Sequence, residues 1–170
     1  MSLYDFHSYV NKTNLSKSWY ERACKVFPGG ISHNIRFFPP YPFFVKRAHG
    51  KNLNDVDGNT YVDFWMGHWA LILGHSPRNV VQSLEKELGQ GTIFGTVNDT
   101  SVLLGELIQK FVPGAELMRF CSTGSEATMY ATRIARAFTG KRIVAKVLGG
   151  WHGFNSELMH SVNYLSLIHI

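Results

Sequence analysis

The amino-acid sequence predicts an α/β fold, and three neighbouring segments carry this prediction. Residues 117–121 alternate like a β-strand, residues 126–138 repeat apolar side chains at the three- and four-residue intervals of an amphipathic helix, and residues 143–148 form an apolar, β-branched run. Gly140 follows the helix, where a left-handed residue commonly ends one. Strands joined by a helical crossover run parallel. We therefore predict a strand–helix–strand unit at the start of a parallel sheet.

The beginning of the chain predicts an arm followed by a helix. Residues 1–15 are polar and weakly patterned, so we expect a loose N-terminal arm. Ser18 and Glu21 have the spacing of a capping box, which predicts that a helix opens there and ends at Pro28.

A small antiparallel meander is predicted over residues 43–64, because the turn dipeptide Asp57-Gly58 separates two alternating stretches. Residues 65–74 are mostly apolar and contain glycine at intervals. We expect them to form a loop that lines a site.

Two further helices are predicted before the strand–helix–strand unit. The first has Ser76 as its cap and Pro77 as its first residue, and it ends at Gly89. After a glycine-containing loop, the second is capped by Asn98 or Asp99 and ends at a Pro-Gly pair.

These elements predict a small-lobe segment over residues 16–75 and the first part of a larger domain over residues 76–164. Two parallel strands cannot bury both faces of a sheet. We therefore interpret the chain as the front part of a longer protein. Residues 165–170 supply no closing element, and we interpret them as a non-native tail.

Two polar turns follow the predicted strands, at the sheet edge where open α/β proteins bind ligands. The second turn, residues 149–153, places Trp151 and His152 between glycines. The first turn precedes the helix, where free backbone N–H groups and the helix dipole favour an anion such as phosphate. Hydroxyl residues before a helix are also ordinary caps without a ligand. Together the turns predict a flat, phosphorylated ligand. The residues of the first turn are Ser122, Thr123, Gly124 and Ser125.

Composition excludes several other classes of protein. The chain has 170 residues, 45% of them hydrophobic, which is typical of a globular protein and not of a disordered one. Its formal net charge of +5 comes from scattered residues, so we expect no nucleic-acid partner. Cys24 and Cys121 lack metal-site spacing, and no signal peptide or membrane-spanning run is visible. We expect a cytoplasmic protein with reduced thiols, no metal and no membrane partner.

Five short motifs together resemble the class III aminotransferases, which use pyridoxal 5'-phosphate. The resemblance covers about residues 16–158 and is closest to the glutamate-1-semialdehyde 2,1-aminomutase branch. It implies the fold of the fold-type I transferases. The matching motifs are Phe27-Pro28-Gly29-Gly30, residues 55–63, Leu73-Gly74-His75, residues 120–127 and Gly150-Trp151-His152-Gly153.

The resemblance implies roles for individual residues. Gly124 and Ser125, with the hydroxyls beside them, match the group that holds the cofactor phosphate. Trp151 matches the aromatic residue that stacks on the pyridine ring, and His152 follows it as in the family. Arg36 matches an arginine that pairs with a substrate carboxylate.

The chain departs from the aminomutase pattern where a Ser-Trp pair is expected. Gly67 and His68 stand there instead, so His68 becomes a candidate substrate contact and the substrate stays open. The family's Schiff-base lysine and its aspartate partner of the pyridine nitrogen are expected beyond Ile170. We therefore expect no catalytic residue within this chain and no catalysis by the chain alone.

The activity implied for the full-length protein is the movement of an amino group on a small amino-acid or amino-aldehyde substrate, as in the aminomutase, by a homodimer. An amino-acid aminotransferase or a racemase of the same branch remains an alternative. So does a non-catalytic binding module built on the same fold.

Overall fold

The structure is a computed structural model that describes residues 6–160. The chain divides into two compact units, the first ending at Ile93 and the second beginning at Phe94. The domain boundary that we expected from the sequence lies earlier, after His75. The tail expected over residues 165–170 lies outside the described residues.

The first unit begins with two helices, α1 (His7–Lys12) and α2 (Asn14–Ala23). The expected loose arm is therefore wrong for the described residues from His7 onward. The predicted capping box at Ser18 is wrong as well, since α2 starts four residues earlier.

A carboxylate from a distant part of the chain explains where α2 begins. Asp57 accepts hydrogen bonds from the backbone N–H groups of Leu15 (2.6 Å) and Ser16 (2.9 Å), two of the groups left unpaired at the start of a helix. The buried Ser16 hydroxyl also donates to Asp57, at 2.6 Å, and accepts from the Phe44 N–H at 3.1 Å. These bonds join α2 to the meander.

The predicted meander is confirmed. Strands β1 (Val45–His49), β2 (Asn52–Asp55) and β3 (Thr60–Val62) form an antiparallel sheet in the order β1-β2-β3. Between β2 and β3, the buried Asp55 carboxylate accepts bonds from the Tyr61 hydroxyl (2.8 Å) and from the backbone N–H of Asn59 (2.7 Å) and Asp57 (3.0 Å).

Burial alone would raise the pKa of Asp55, but the hydrogen bonds from Asn59, Tyr61 and the turn backbone outweigh it, so that the pKa is lowered. Burial, together with the neighbouring Asp55 carboxylate, raises the pKa of Tyr61 to about 12. The turn is therefore built around an ionised carboxylate.

Two more helical segments complete the first unit. The single turn α3 (Met66–Trp69) lies within the expected loop, and its four residues all have positive φ, from 46° to 63°. Helix α4 (Arg78–Leu88) ends before Gly89, as predicted. The predicted cap at Ser76 is wrong, because Pro77 is the N-cap residue and Ser76 has a φ of 52°.

The second unit contains α5 (Asp99–Phe111) and α6 (Gly124–Thr139), and both predicted helices are confirmed. The Asn98 side chain caps α5, accepting from the Ser101 N–H at 2.8 Å. Gly140, with a φ of 68°, ends α6 in the expected left-handed conformation.

The parallel strand pair predicted over residues 117–121 and 143–148 is wrong within the described part of the chain, where neither segment forms a strand. A strand exists only when its backbone pairs with a neighbour, and no such neighbour lies beside either segment among residues 6–160. Several of their apolar side chains are open to solvent as a result: Leu117 is 96% exposed and Ile143 is 94% exposed.

No helix among residues 6–160 is long and apolar enough to cross a membrane. Within the same residues, no group of three or more His, Cys, Asp or Glu side chains is placed to hold a metal ion.

Replacing Asp57 with alanine removes the cap of α2 and the partner of Ser16. We expect the free energy of unfolding to fall by about 1–2 kcal/mol, the usual effect of losing a helix cap. Urea titration followed by circular dichroism measures the change. Glu85→Ala, an exposed acidic residue of α4, is the matched control and should change little. Equal effects of the two substitutions would contradict the capping role.

The lowered pKa of Asp55 predicts how stability depends on pH. Because the folded pKa lies below the unfolded value, the contribution of Asp55 is fully present above about pH 5 and is lost as the pH falls below about 4. Asp55→Asn should therefore be less stable at pH 7 and lose less stability on acidification. Urea titrations at a series of pH values test this, and parallel pH profiles for the two proteins would count against it.

Candidate functional site

The N-terminus of α6 is closed by a reciprocal capping box. The Thr123 hydroxyl accepts from the Glu126 N–H at 3.1 Å, and the Glu126 carboxylate accepts in return from the Ser122 N–H at 3.0 Å. Among the described residues, no partner accepts from the N–H groups of Gly124 and Ser125. These two donors therefore remain available at the positive end of the helix dipole.

The second polar turn is held against this helix end. The Phe154 N–H donates to the Ser125 hydroxyl oxygen at 2.7 Å, and the Asn155 side-chain amide donates to the Thr128 hydroxyl at 3.2 Å. The two turns predicted to share one edge are thus brought together, although the expected strands do not form.

Gly153 makes this approach possible. A Cβ atom at this buried position would stand 2.7 Å from the Thr128 hydroxyl oxygen and 2.8 Å from the Cα of Ser125, closer than real Cβ atoms come. Its φ of 105° also lies in the region that favours glycine. Any side chain here would push the turn away from α6.

The bond from Phe154 also determines what the Ser125 hydroxyl can do. Since the oxygen accepts from a backbone N–H, the hydroxyl proton is left to point elsewhere. No described residue accepts it. The hydroxyl and the two free N–H groups of Gly124 and Ser125 together offer three donors to an anion at a helix N-terminus.

The side chains of Trp151 and His152 have different surroundings in the second turn. Trp151 is 48% exposed, and its ring centroid lies 6.3 Å from that of Phe154, so one aromatic surface is open to a flat ligand. The Nδ1 of His152 lies 3.0 Å from the Gly150 carbonyl oxygen, which requires that Nδ1 carry the proton. His152 also lines a cleft of about 520 Å³ alongside Thr132 of α6.

The segment after the second turn is anchored by charged groups. Arg136 of α6 pairs with Glu157 at 2.7 Å. The Lys146 ammonium donates to the carbonyl oxygens of Leu158 (2.8 Å) and His160 (2.5 Å). This lysine is therefore already occupied by backbone acceptors.

The first unit has a cleft of its own, about 870 Å³ in volume, and both predicted substrate contacts line it. Arg36 is exposed and donates to the Ser32 hydroxyl at 3.1 Å. The ring of His68 meets that of Trp65 edge-on, with centroids 5.0 Å apart. Arg36 and His68 thus line the same cleft.

A hydrogen-bonded pair, Asp63 and His75, that the sequence did not reveal also lines this cleft. The Asp63 carboxylate lies 2.7 Å from His75 Nε2 and accepts from the backbone N–H groups of Trp65 (2.8 Å) and Met66 (3.0 Å). Burial acts to raise the pKa of Asp63, but these bonds outweigh it and lower the pKa. Asp63 therefore fixes the entry to the left-handed turn α3, whose backbone is strained for residues other than glycine.

Two parts of the candidate site escaped sequence reasoning. The Phe154 donor is a backbone group and leaves no side-chain signal. The Asp63–His75 pair joins residues twelve positions apart, a spacing that no helix or strand period predicts. Gly153 was visible as a turn glycine, but its contact with α6 was not.

Comparisons with known proteins show the family to which the chain belongs. A sequence model of the class III aminotransferase family matches residues 36–163. The chain is 44% identical over 146 residues to the glutamate-1-semialdehyde 2,1-aminomutase of Methanothrix thermoacetophila, a match that covers 86% of this chain and 34% of the relative. It is 43% identical over 148 residues to the enzyme of the same name from Methanocella arvoryzae. The chain thus spans about a third of the length of the curated relatives it matches.

Solved structures give the same result. An omega-transaminase from Sphaerobacter thermophilus superposes with a TM-score of 0.80 at 34% identity, over 82% of this chain and 32% of the other. A transaminase with pyridoxal phosphate bound gives a TM-score of 0.83 at 35% identity, over 86% of this chain and 34% of the other. A β-phenylalanine aminotransferase from Variovorax paradoxus gives a TM-score of 0.85 at 27% identity, over 93% of this chain and 38% of the other.

Gly153→Ala tests the close approach of the second turn to α6. We expect faster hydrogen exchange of the Phe154 amide and a loss of about 1–3 kcal/mol in unfolding free energy, because the new Cβ overlaps Ser125. Gly149→Ala is the matched control: its φ of 74° is also positive, but nothing lies within 4 Å of its Cβ. If the two variants exchange Phe154 at the same rate, backbone strain and not contact sets the turn.

Proposed function

Since the chain belongs to the class III aminotransferases, we propose that it forms the phosphate- and ring-binding part of a pyridoxal-phosphate enzyme that moves an amino group on a small amino substrate. The observation that carries this proposal is the pairing of Ser125 with the Phe154 backbone, which leaves three donors available at the start of α6. The fold-type I architecture predicted from the sequence is confirmed by the structural neighbours.

The described residues fit this cofactor. Its phosphate is a dianion, and the N–H groups of Gly124 and Ser125 with the Ser125 hydroxyl supply hydrogen bonds at the positive end of a helix. Its pyridine ring is flat, and the exposed face of Trp151 supplies a stacking surface. We assign Ser122 and Thr123 to shaping this cradle, because both are engaged in the cap with Glu126.

Each residue then has a binding or orienting task. When bound, pyridoxal phosphate supplies an electron sink that draws charge from the carbon bearing the amino group. The α6 donors fix the phosphate. Trp151 sets the plane of the ring and shields it from water. His152 donates its Nδ1 proton to the Gly150 carbonyl oxygen, which stiffens the turn. We assign substrate carboxylate binding to Arg36, with His68 beside it in the first unit's cleft.

We assign no covalent role to a lysine of the described residues. Lys146 lies closest in sequence to the second turn, and its ammonium is held by two carbonyl oxygens. We propose that this chain binds and orients, and that it does not complete the amino transfer by itself.

The reaction we favour is that of the curated relatives, which are named glutamate-1-semialdehyde 2,1-aminomutase, or a related transamination of a small amino-acid or amino-aldehyde substrate. We further propose a cytoplasmic homodimer. Both cysteines are free, in keeping with a reducing compartment. The strongly exposed apolar side chains of the α3 region, Trp69 at 70% and Ile72 at 89%, suit a subunit contact.

Binding of pyridoxal phosphate compared with pyridoxal tests the proposed cradle. The chain should bind the phosphorylated form more tightly, and Ser125→Ala should weaken it by about tenfold or more, since a hydrogen bond to a charged group is lost. Binding of pyridoxal, which lacks the phosphate, should weaken less, because Ser125→Ala then removes only the Phe154–Ser125 bond that positions the second turn and no phosphate contact. Titrations followed by absorbance or calorimetry measure both affinities.

Two controls sharpen this experiment. Trp151→Ala should weaken the binding of both compounds, since it removes the stacking surface but no phosphate contact. Ser101→Ala, a serine in the first turn of α5, should affect neither. Equal binding of the two compounds to the unmodified chain would contradict the phosphate cradle.

A further inference from the structure

Two consecutive residues of the second turn region bind two residues that lie one helical turn apart on α6. The Phe154 N–H donates to the Ser125 hydroxyl oxygen at 2.7 Å. The Asn155 side-chain amide donates to the Thr128 hydroxyl oxygen at 3.2 Å. Residues three apart share one face of a helix, so both bonds leave α6 from the same side. One hydrogen bond would leave the turn free to rotate about it, whereas two fix its orientation as well as its distance from α6.

The protons in this contact are fully assigned by their partners. The Thr128 hydroxyl donates its proton to the Ser125 carbonyl oxygen at 3.1 Å, so its oxygen is left to accept from Asn155. At the other end of the same amide, Asn155 Oδ1 accepts from the Leu158 N–H at 3.2 Å. The asparagine side chain thus has two separate tasks. Its oxygen caps the following turn, and its nitrogen reaches α6.

The backbone of Gly153 is enclosed on the side of the second bond. A Cβ atom at Gly153 would lie 2.7 Å from the Thr128 hydroxyl oxygen and 3.3 Å from the Asn155 amide nitrogen. Gly153 is buried, and Thr128 and Asn155 are half-buried. Because water is partly excluded here, a hydrogen bond is stronger than on an open surface. The bond from Asn155 therefore closes on a backbone with little room to shift.

The ring of Phe154 carries this orientation to Trp151. Their ring centroids lie 6.3 Å apart with 35° between the planes, which is within the range of packed aromatic pairs. Trp151 is 48% exposed and Phe154 58% exposed, so neither ring is held by burial in a core. The orientation of the Trp151 ring therefore depends on how the backbone of residues 153–155 is held against α6.

We propose that Asn155 is a positioning residue, which donates to Thr128 and thereby fixes, through Phe154, the plane that Trp151 offers to a bound ring. The inference rests on the proposed function for its ligand, the pyridine ring of the cofactor. It goes beyond that function because it assigns the orientation of the ring to a bond that touches neither ring nor phosphate. An asparagine that only capped the following turn would leave Trp151 unaffected.

Two substitutions separate the bond to α6 from the capping role. Asn155→Ser keeps a capping oxygen, but its side chain is too short to reach Thr128. Thr128→Val removes the acceptor and leaves Asn155 unchanged, whereas Thr128→Ser keeps the hydroxyl and should restore the behaviour of the unmodified chain. Thr132→Val is the matched control, because the Thr132 hydroxyl donates to the α6 carbonyl oxygens of Thr128 and Met129.

Nitrogen-15 relaxation of the Trp151 indole N–H, measured on the 170-residue chain without ligand, tests the positioning directly. We expect an order parameter of about 0.85, as for rigid backbone, in the unmodified chain, and a value below about 0.6 in Thr128→Val and Asn155→Ser. Thr128→Ser and Thr132→Val should stay near the unmodified value. Circular dichroism checks that each variant keeps its helices, and if Thr128→Val does not fold, Asn155→Ser provides the same test.

Titration with pyridoxal then tests the consequence for a bound ring. Asn155→Ser and Thr128→Val should each weaken pyridoxal by about fivefold, the usual effect of losing one hydrogen bond. They should also reduce the circular dichroism that the bound ring acquires from a fixed orientation. When Trp151→Ala is already present, Thr128→Val should weaken pyridoxal no further, because the residue that it positions is gone.

The outcomes distinguish this inference from the proposed function. An indole order parameter that is unchanged in Thr128→Val and Asn155→Ser would overturn the positioning role, and so would equal loosening by Thr132→Val. An equal effect of Thr128→Val with and without Trp151 would overturn it as well. If pyridoxal phosphate does not bind the unmodified chain but the order parameters follow the expected pattern, the proposed function fails and the positioning role stands.

Discussion

The candidate cofactor site depends on one hydrogen bond, from the Phe154 N–H to the Ser125 hydroxyl. This bond can form only because Gly153 has no side chain and lets the turn come against the start of α6. It places Trp151 in the turn that contacts the helix end, and it leaves the Ser125 proton free for an anion. Without that contact, the N-terminus of α6 would be an ordinary capped helix end and Trp151 an ordinary exposed aromatic.

The first unit depends in a similar way on three carboxylates from one stretch of sequence, of which Asp55 is buried. Asp57 begins α2, Asp55 holds the turn between β2 and β3, and Asp63 fixes the entry to α3. Each carboxylate accepts several N–H or O–H groups, which is why two of them keep lowered pKa values despite burial. Because Asp63 is engaged in this way, it does not neutralise Arg36, and the cleft keeps its positive charge.

Sequence reasoning succeeded where the signal was local. The period of α6, the Asp57-Gly58 turn and the Gly140 stop each depend on residues close in the chain, and the structure has them all. It failed where distant groups decide the outcome. The start of α2 is set by a carboxylate more than forty residues away, and residues 117–121 form a strand only where a neighbouring strand exists to pair with them.

The same distinction between local signals and distant contacts applies to the candidate site. The residues of the two polar turns could be found from composition and spacing, since hydroxyls, glycines and aromatics at a sheet edge have recognisable chemistry. Arg36 was visible only through the family resemblance, because a single exposed arginine carries no local pattern. Two contacts give these residues their geometry: Gly153 against Ser125, and Asp63 with His75. Each contact joins residues whose proximity no local sequence pattern predicts.

The most direct test of the cradle is the change in amide chemical shifts when pyridoxal phosphate is added to the ¹⁵N-labelled chain. The account predicts that the amides of Gly124 and Ser125 shift downfield most strongly, because they become donors to a phosphate. The amides of Asp99 and Thr100, at the start of α5, should hardly move. Shifts at α5 as large as those at α6, or none at Gly124 and Ser125, would contradict the central claim.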